Sequence, residues 1–85
     1  KRKVQSFFNL TQEEVAAMLE LLNSQKDTLK NKDPLITGFN IGINDGEDAG
    51  QTIMHCHIHL IPRRNGDMED PRGGVRGVIP GKQSY

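Results

Sequence analysis

The spacing of apolar residues divides the chain into a helical first third and an extended middle third. After Leu10, apolar side chains recur at intervals of three and four residues, which is typical of a helix with one buried face. Thr11 and Glu14 can form a capping box, and Leu10 with Val15 can form a hydrophobic staple over the helix start. The pattern predicts a helix over about 12–30. The stripe expected to pack against the core comprises Val15, Met18, Leu19, Leu22 and Leu29.

The apolar period changes to two after this helix, which predicts two β-strands. Apolar residues alternate with glycine and asparagine over about 36–44, a pattern typical of a half-buried strand. A second alternation covers about 52–61, and turn-forming residues occupy 45–51 between the two. Pro62 is expected to end the second strand. We therefore expect an antiparallel pair of strands, followed by an irregular tail over 62–85.

These elements indicate an α+β fold whose sheet is incomplete. A two-stranded sheet is marginally stable in water, and its edges stay open to pairing with another strand. The chain also begins with Lys1 rather than with methionine. We therefore expect an upstream part of the chain, a partner subunit, or both to complete the sheet.

Charge and cysteine content exclude several classes of protein. The 11 lysines and arginines balance the 11 acidic residues, so no basic surface favours nucleic acid or an anionic membrane. No apolar stretch approaches the roughly 18 residues of a membrane span. The single cysteine, Cys56, cannot form an internal disulfide. These features predict a soluble protein of the reducing cytoplasm.

All three histidines occupy alternate positions of the second predicted strand. Because side chains along a strand alternate between faces, His55, His57 and His59 should line one face, with neighbouring rings about 6–7 Å apart. A neutral imidazole is an effective nucleophile near pH 7, and it can carry a covalent intermediate. His57 is flanked on both sides, so a neighbour can orient it or contact the substrate. The row therefore predicts a nucleophilic site.

Residues beside the histidine row are suited to phosphate. Gly50 belongs to a turn that offers backbone N–H groups, and Gln51 and Thr52 add side-chain donors. Asn44 ends the neighbouring strand and should lie near the same end of the site. Each of these residues also has a simpler interpretation, as a turn former or as the start of a strand.

A metal site is the competing interpretation of the histidines. Three neutral imidazoles can hold zinc. However, consecutive positions on one strand rarely converge on a single ion, no carboxylate lies on this strand, and Cys56 is expected to be a small hydrophobe on the opposite face. We therefore predict no metal ligands here. Arg63 and Arg64, just beyond the strand, are interpreted as solvated charges, with contact to a phosphate as the alternative.

The segment from Gly50 to Ile61 resembles the signature of the histidine-triad (HIT) superfamily. In that signature Gly-Gln-Ser/Thr precedes His-φ-His-φ-His-φ-φ, where φ is hydrophobic, and this chain has Gly-Gln-Thr-Ile-Met-His-Cys-His-Ile-His-Leu-Ile. Asn44 falls where the family carries Asn or Gln. Residues 62–67 are similar to the branch that includes dinucleoside polyphosphate hydrolases.

The resemblance implies a nucleotide hydrolase or nucleotidyl transferase. His57 would attack the α-phosphorus of a diadenosine polyphosphate or a related nucleotidyl compound and form a phosphoramidate, which water would resolve to a nucleoside monophosphate. His55 would hold His57 in its reactive tautomer. The residues expected to contact the substrate are Asn44, Gly50, Gln51, Thr52 and His59.

The resemblance also implies a HIT-like antiparallel sheet with a packed helix, here lacking the N-terminal hairpins, in a protein that forms a homodimer. Residues 1–85 would then be the C-terminal portion of a single HIT domain. No cofactor is required for the covalent step, and a divalent cation can accompany a polyphosphate substrate. Two alternatives remain open. One is a non-catalytic nucleotide-binding or dimerising fragment, and the other is a metal-binding His-x-His-x-His module.

Overall fold

A computed structural model of the chain describes residues 3–83. In these residues one α-helix, α1 (Gln12–Lys32), precedes two strands, β1 (Ile36–Ile43) and β2 (Ile58–Arg64), and three short 3-10 helices lie outside them. The predicted α+β class is confirmed. No helix in this part of the chain combines the length and the apolar character that crossing a bilayer requires.

The start of α1 forms as its sequence predicts. The Thr11 hydroxyl accepts a hydrogen bond from the Glu14 N–H at 3.1 Å, and the Glu14 carboxylate accepts one from the Thr11 N–H at 2.8 Å. This capping box satisfies two backbone donors that the first turn of a helix leaves unpaired. The helix start is therefore encoded locally.

The end of α1 lies at Lys32 rather than near residue 30. Asp33 is the C-cap, and its N–H donates to the Leu29 carbonyl at 2.9 Å. Its carboxylate accepts from Arg64 Nε at 2.8 Å, which ties the helix to the far end of β2. A residue distant in sequence thus supports the additional helical residues.

The two strands pair antiparallel as predicted, but the second strand is displaced along the chain. Ile43, the last residue of β1, lies opposite Ile58, so residues 52–57 have no β1 partner left. They form a bend and a loop instead, and the Cys56 N–H donates to the Val4 carbonyl. The predicted strand over 52–61 is therefore wrong in its first six residues.

Pro62 lies within β2, opposite Phe39, rather than ending the strand. Proline lacks an N–H, and a strand at the edge of a sheet tolerates this loss. β2 is an edge strand because the sheet in the described residues contains β1 and β2 alone. The strand therefore continues to Arg64, beyond its predicted end.

The buried apolar core of the described residues is small. It contains Val4, 8 % exposed, and Ile36, 2 % exposed. The helix contributes no buried residue, and Leu19 of the predicted stripe is more than half exposed. A sheet of two strands is too narrow to cover a 21-residue helix.

The tail predicted to be irregular contains a 3-10 helix, Gly74–Val78, that packs near β1. A Cβ added at Gly74 would lie 3.3 Å from the Asn40 amide nitrogen. Gly73 has a φ of 88°, and a Cβ there would lie 1.6 Å from the Gln83 carbonyl oxygen. Only glycine permits this close approach, which folds the tail back on itself.

Candidate active site

The three histidines gather with the preceding loop around one pocket of about 160 Å³. Every residue predicted for the site lines this pocket. Ile53 lines it as well and was not predicted, although it shares the odd-numbered positions of the histidine row. The complete lining comprises Asn44, Gly50, Gln51, Thr52, Ile53, His55, His57 and His59.

The imidazoles of His55 and His57 lie closer together than an extended strand would place them. Their ring centroids are 4.6 Å apart and their planes are inclined by 32°. The expected spacing of about 6–7 Å assumed a regular strand, whereas residues 53–55 form a bend. The bend therefore brings the two rings into contact, with His55 half-buried and His57 exposed.

His59 is the one histidine that belongs to β2, and it lies opposite Gly42 on β1. Directly opposite residues of an antiparallel pair have neighbouring side chains. Glycine leaves this position clear, and a Cβ added at Gly42 would meet nothing within 4 Å. The sheet face beside His59 therefore remains open to a ligand.

The loop before the histidines is a tight turn whose backbone N–H groups donate to carbonyls of the same turn. Its 3-10 segment spans Glu47–Ala49. The Gly50 N–H donates to the Glu47 carbonyl at 2.9 Å, and the Gln51 N–H donates to the Gly46 carbonyl at 3.0 Å. Gly46 and Gly50 have φ values of 97° and 94°, which favour glycine. These two N–H groups therefore close the turn, and donors for a phosphate must come from elsewhere in the pocket.

Gln51 lines the pocket, but its side chain forms hydrogen bonds to backbone groups of the protein. The residue is only 6 % exposed. Its Oε1 accepts from the Gly46 N–H, and its Nε2 donates to the Gln5 carbonyl, both at 2.8 Å. The loop is thereby held to the N-terminal segment Val4–Phe7.

The residues between β1 and the turn connect the site to the same segment. Asn44 is exposed, and a Cβ added at Gly50 would lie 3.6 Å from its amide nitrogen. The Asp45 carboxylate accepts from the Ser6 hydroxyl at 2.9 Å and from the Phe7 N–H at 2.8 Å. Sequence reasoning missed this role of Ser6 and Asp45, because 39 positions separate the two residues.

Cys56 lies between two site histidines but has the character of a structural residue. Burial, followed by the nearby charge of Asp45, raises the pKa of its thiol above the ordinary value of 9.0. A thiol is nucleophilic only when it is deprotonated. Cys56 therefore remains protonated near neutral pH.

The two arginines lie at the opposite end of β2 and outside this pocket. Arg63 donates to both carboxylate oxygens of Asp67, at 2.9 and 2.8 Å, and to the Asn40 amide oxygen. Arg64 donates to Asp33. The hydrogen bonds from Arg63 and Arg64 hold the pKa values of Asp67 and Asp33 below their usual range. Both arginines are therefore in ion pairs, whereas the sequence indicated solvated charges.

No cluster of three or more His, Cys, Asp or Glu side chains within residues 3–83 is arranged to hold a metal ion. The histidines converge on a pocket with amide and hydroxyl side chains instead. This arrangement offers imidazole nucleophiles together with neutral hydrogen-bond donors. Such a set of groups can bind and attack an anionic phosphorus centre.

Comparison with known proteins shows a match to the model of the HIT domain over residues 1–66. The chain is 39% identical over 70 residues to the nitrilase and fragile histidine triad fusion protein NitFhit of Caenorhabditis elegans, covering 82% of this chain and 16% of that protein. The crystal structure of NitFhit superposes with a TM-score of 0.71 at 37% identity, over 82% of this chain and 17% of that chain. The predicted HIT-like fold is therefore confirmed.

Two further relatives are named as enzymes. The bifunctional bis(5'-adenosyl)-triphosphatase/adenylylsulfatase FHIT of Arabidopsis thaliana is 36% identical over 72 residues, covering 81% of this chain and 38% of that protein. The diadenosine triphosphate hydrolase of Plasmodium falciparum, solved in complex with Cyclomarin A, has a TM-score of 0.69 at 36% identity, over 81% of this chain and 46% of that chain. The chain thus spans less than half the length of these relatives.

Proposed function

This chain belongs to the HIT family, and we propose that it carries the catalytic residues of a nucleotide hydrolase. The substrate class is a diadenosine polyphosphate or a related nucleotidyl compound, attacked at its α-phosphate. The pocket that unites three histidines with Asn44 and Thr52 is the main support for this proposal. The relatives named as bis(5'-adenosyl)-triphosphatase and diadenosine triphosphate hydrolase support the choice of substrate.

The proposed nucleophile is His57, whose exposed ring lies in the pocket. A ring nitrogen would form a bond to the α-phosphorus, and the bond from that phosphorus to its bridging oxygen would break. The departing phosphate or nucleotide takes the electron pair of the broken bond. Water then attacks the nucleotidyl-histidine, the phosphorus–nitrogen bond breaks, and a nucleoside monophosphate is released.

His55 is proposed to orient the nucleophile. One nitrogen of an imidazole must keep its proton while the other attacks. His55 is half-buried, and its ring centroid lies 4.6 Å from that of His57. This contact restricts rotation of the His57 ring and favours one orientation for attack.

The phosphate is proposed to bind between the two strands' ends. His59, the Asn44 amide and the Thr52 hydroxyl line the pocket and are the proposed donors. Gly50 contributes by having no side chain beside the Asn44 amide. The covalent step as proposed uses these groups and no cofactor, and a divalent cation would arrive with a polyphosphate substrate.

A homodimer in the cytoplasm is the proposed setting. The sheet of the described residues has open edges, and Ile41 and Ile61 are both about half exposed. Open edges and exposed apolar side chains favour pairing with another strand or chain. Cys56 is a free thiol, which suits a reducing compartment.

The decisive experiment compares His57→Ala with Asn31→Ala in the full-length protein, using diadenosine triphosphate as substrate and following release of AMP. Asn31 is an exposed residue of α1, so its substitution controls for handling and folding. We expect His57→Ala to lower kcat by about 10⁴-fold or more, as loss of a covalent nucleophile does. Rapid quenching of the unsubstituted protein should also trap an acid-labile nucleotidyl adduct.

Hydrolysis that survives His57→Ala would overturn the assignment of the nucleophile. Binding of AMP without turnover by the unsubstituted protein would favour the non-catalytic alternative. Stoichiometric zinc that is lost on His57→Ala would favour the metal-binding alternative.

A further inference from the structure

We propose that Gln51 is a positioning residue rather than a phosphate ligand, and that it acts by fastening the pocket loop to the N-terminal segment Val4–Phe7. This inference rests on the proposed function, because it concerns how the same pocket is held in a reactive geometry. It assigns a role to a segment that lies outside the pocket lining.

The side chain of Gln51 is already engaged at both ends. Its carbonyl oxygen accepts from the Gly46 N–H, and its amide nitrogen donates to the Gln5 carbonyl. The residue is nearly fully buried. Turning this amide toward a substrate would break two hydrogen bonds to partly buried backbone groups, which is costly. The Gln51 side chain is therefore suited to hold the loop in place and poorly suited to bind a substrate phosphate.

A second connection joins the same loop and the same segment. Asp45 follows the pocket residue Asn44, and its half-buried carboxylate binds the Ser6 hydroxyl and the Phe7 N–H. Asp45 and Gln51, at the two ends of the turn over 45–51, thus both form hydrogen bonds to the segment Val4–Phe7. Together they determine where Asn44 and Thr52 stand.

The third connection reaches the nucleophile's side of the pocket. The Cys56 N–H donates to the carbonyl of Val4, which is one of the two buried apolar residues of the described chain. Cys56 directly precedes His57. The segment Val4–Phe7 therefore bonds the pocket residue Gln51 and the chain neighbours of Asn44 and His57. Through these bonds it sets the distance between the phosphate donors and the attacking imidazole.

This arrangement predicts a specific kinetic signature. A misplaced nucleophile slows the chemical step, whereas donors that still reach the phosphate preserve binding in the ground state. Loss of a direct phosphate ligand would instead weaken the binding of substrate and of AMP. The two roles are therefore distinguished by how an effect divides between kcat and KM.

The test uses Gln51→Met, Ser6→Ala and the double variant in the full-length protein, with Thr52→Ala as the comparison for a direct ligand. We expect Gln51→Met to lower kcat about 10- to 100-fold with KM and the Kd for AMP changed less than about threefold. Ser6→Ala should cause a smaller loss of kcat. The double variant should lose less than the product of the two single losses, because both substitutions release one segment. Thr52→Ala should raise the Kd for AMP.

Amide hydrogen exchange gives a readout that does not depend on turnover. In Gln51→Met the Cys56 amide should exchange faster, although its own partner is Val4 and not Gln5. Faster exchange in a protein that hydrolyses nothing would refute the proposed function and leave the fastening role standing. A weakened affinity for AMP with unchanged Cys56 exchange, or fully multiplicative losses in the double variant, would overturn the positioning role. If Gln51→Met does not fold, Ser6→Ala decides by the same kcat and exchange criteria.

Discussion

The two ends of β2 both carry residues suited to phosphate, yet they differ in what surrounds those residues. At the Ile58 end, the histidines share an open pocket with neutral amide and hydroxyl side chains. At the Arg64 end, both guanidinium groups are bound to carboxylates of the same chain. The availability of a group, more than its chemical type, therefore distinguishes a candidate site from a structural contact.

The difference has an electrostatic cause. Arg63 binds both oxygens of Asp67 in a bidentate pair, and such charge-assisted bonds use the directional donors that a phosphate would need. The Arg64 pair also closes the helix end through Asp33. In the described part of the chain, the lining of the histidine pocket contains no carboxylate. The arginine end therefore contributes to the fold, and the histidine end remains available for a ligand.

The sharpest test of this contrast pairs His59→Ala with Arg64→Ala. We expect His59→Ala to lower kcat/KM for diadenosine triphosphate about 10²- to 10³-fold, since it removes a donor proposed to contact the phosphate. Arg64→Ala should change kcat/KM less than about threefold and reduce stability slightly, because an exposed ion pair contributes little. Steady-state kinetics with a thermal denaturation curve measure both. Equal losses of activity in the two variants would contradict the contrast.

A smaller effect is expected from Asp67→Asn, which removes one carboxylate of the arginine end. The hydrogen bond from Arg63 lowers the pKa of Asp67 below its ordinary value of 3.8. The ion pair therefore stabilises the fold above this value, and its contribution is lost as the pH falls through the lowered pKa. The Asp67→Asn protein should be less stable near neutral pH and should approach the stability of the unsubstituted protein in acid.

Thermal denaturation midpoints, followed from about pH 7 down into acid as far below the ordinary value of 3.8 as the protein stays folded, at low and high salt, measure this convergence. High salt should narrow the difference between the two proteins at neutral pH, because both side chains are accessible to solvent. Activity near neutral pH should stay close to that of the unsubstituted protein. A difference in stability that persists unchanged into acid would exclude the ion pair as its cause.

The smallest effect is expected from substitution of Cys56, which lies between His55 and His57 in sequence but does not line the pocket. Because burial raises the pKa of its thiol, iodoacetamide should alkylate it more slowly at neutral pH than it alkylates free cysteine. Cys56→Ala should keep kcat within about threefold, since the position contributes its backbone N–H. Mass spectrometry of the alkylated protein and AMP release measure these outcomes. Rapid alkylation that abolishes turnover, together with loss of activity in Cys56→Ala, would show that the Cys56 thiol takes part in catalysis.

Local signals predicted those features whose partners are close in sequence. Thr11 and Glu14 form the predicted capping box because they are three positions apart. The alternation over 36–44 predicted β1 to within one residue, since period-two patterning follows directly from the pleat. The start of β2 was missed because a strand also needs a partner, and β1 ends at Ile43.

The candidate site divides in the same way. Its lining residues fall between Asn44 and His59, so motif spacing and family resemblance were sufficient to identify nearly all of them. The hydrogen bonds that join the site to the segment Val4–Phe7 could not be predicted from residue spacing. Gln51 and Gln5 are 46 positions apart, and nothing in the local pattern of either residue indicates the other.

The sequence by itself therefore determined the helix start, the strand pairing, the histidine row and the family of this protein. Each of these depends on residue type and on short-range periodicity. Only the tertiary structure decided which polar groups form hydrogen bonds within the protein and which remain available to a ligand. Hydrogen bonds and ion pairs are short-range in space, and which residues meet across 31 to 46 positions is decided by the folded chain.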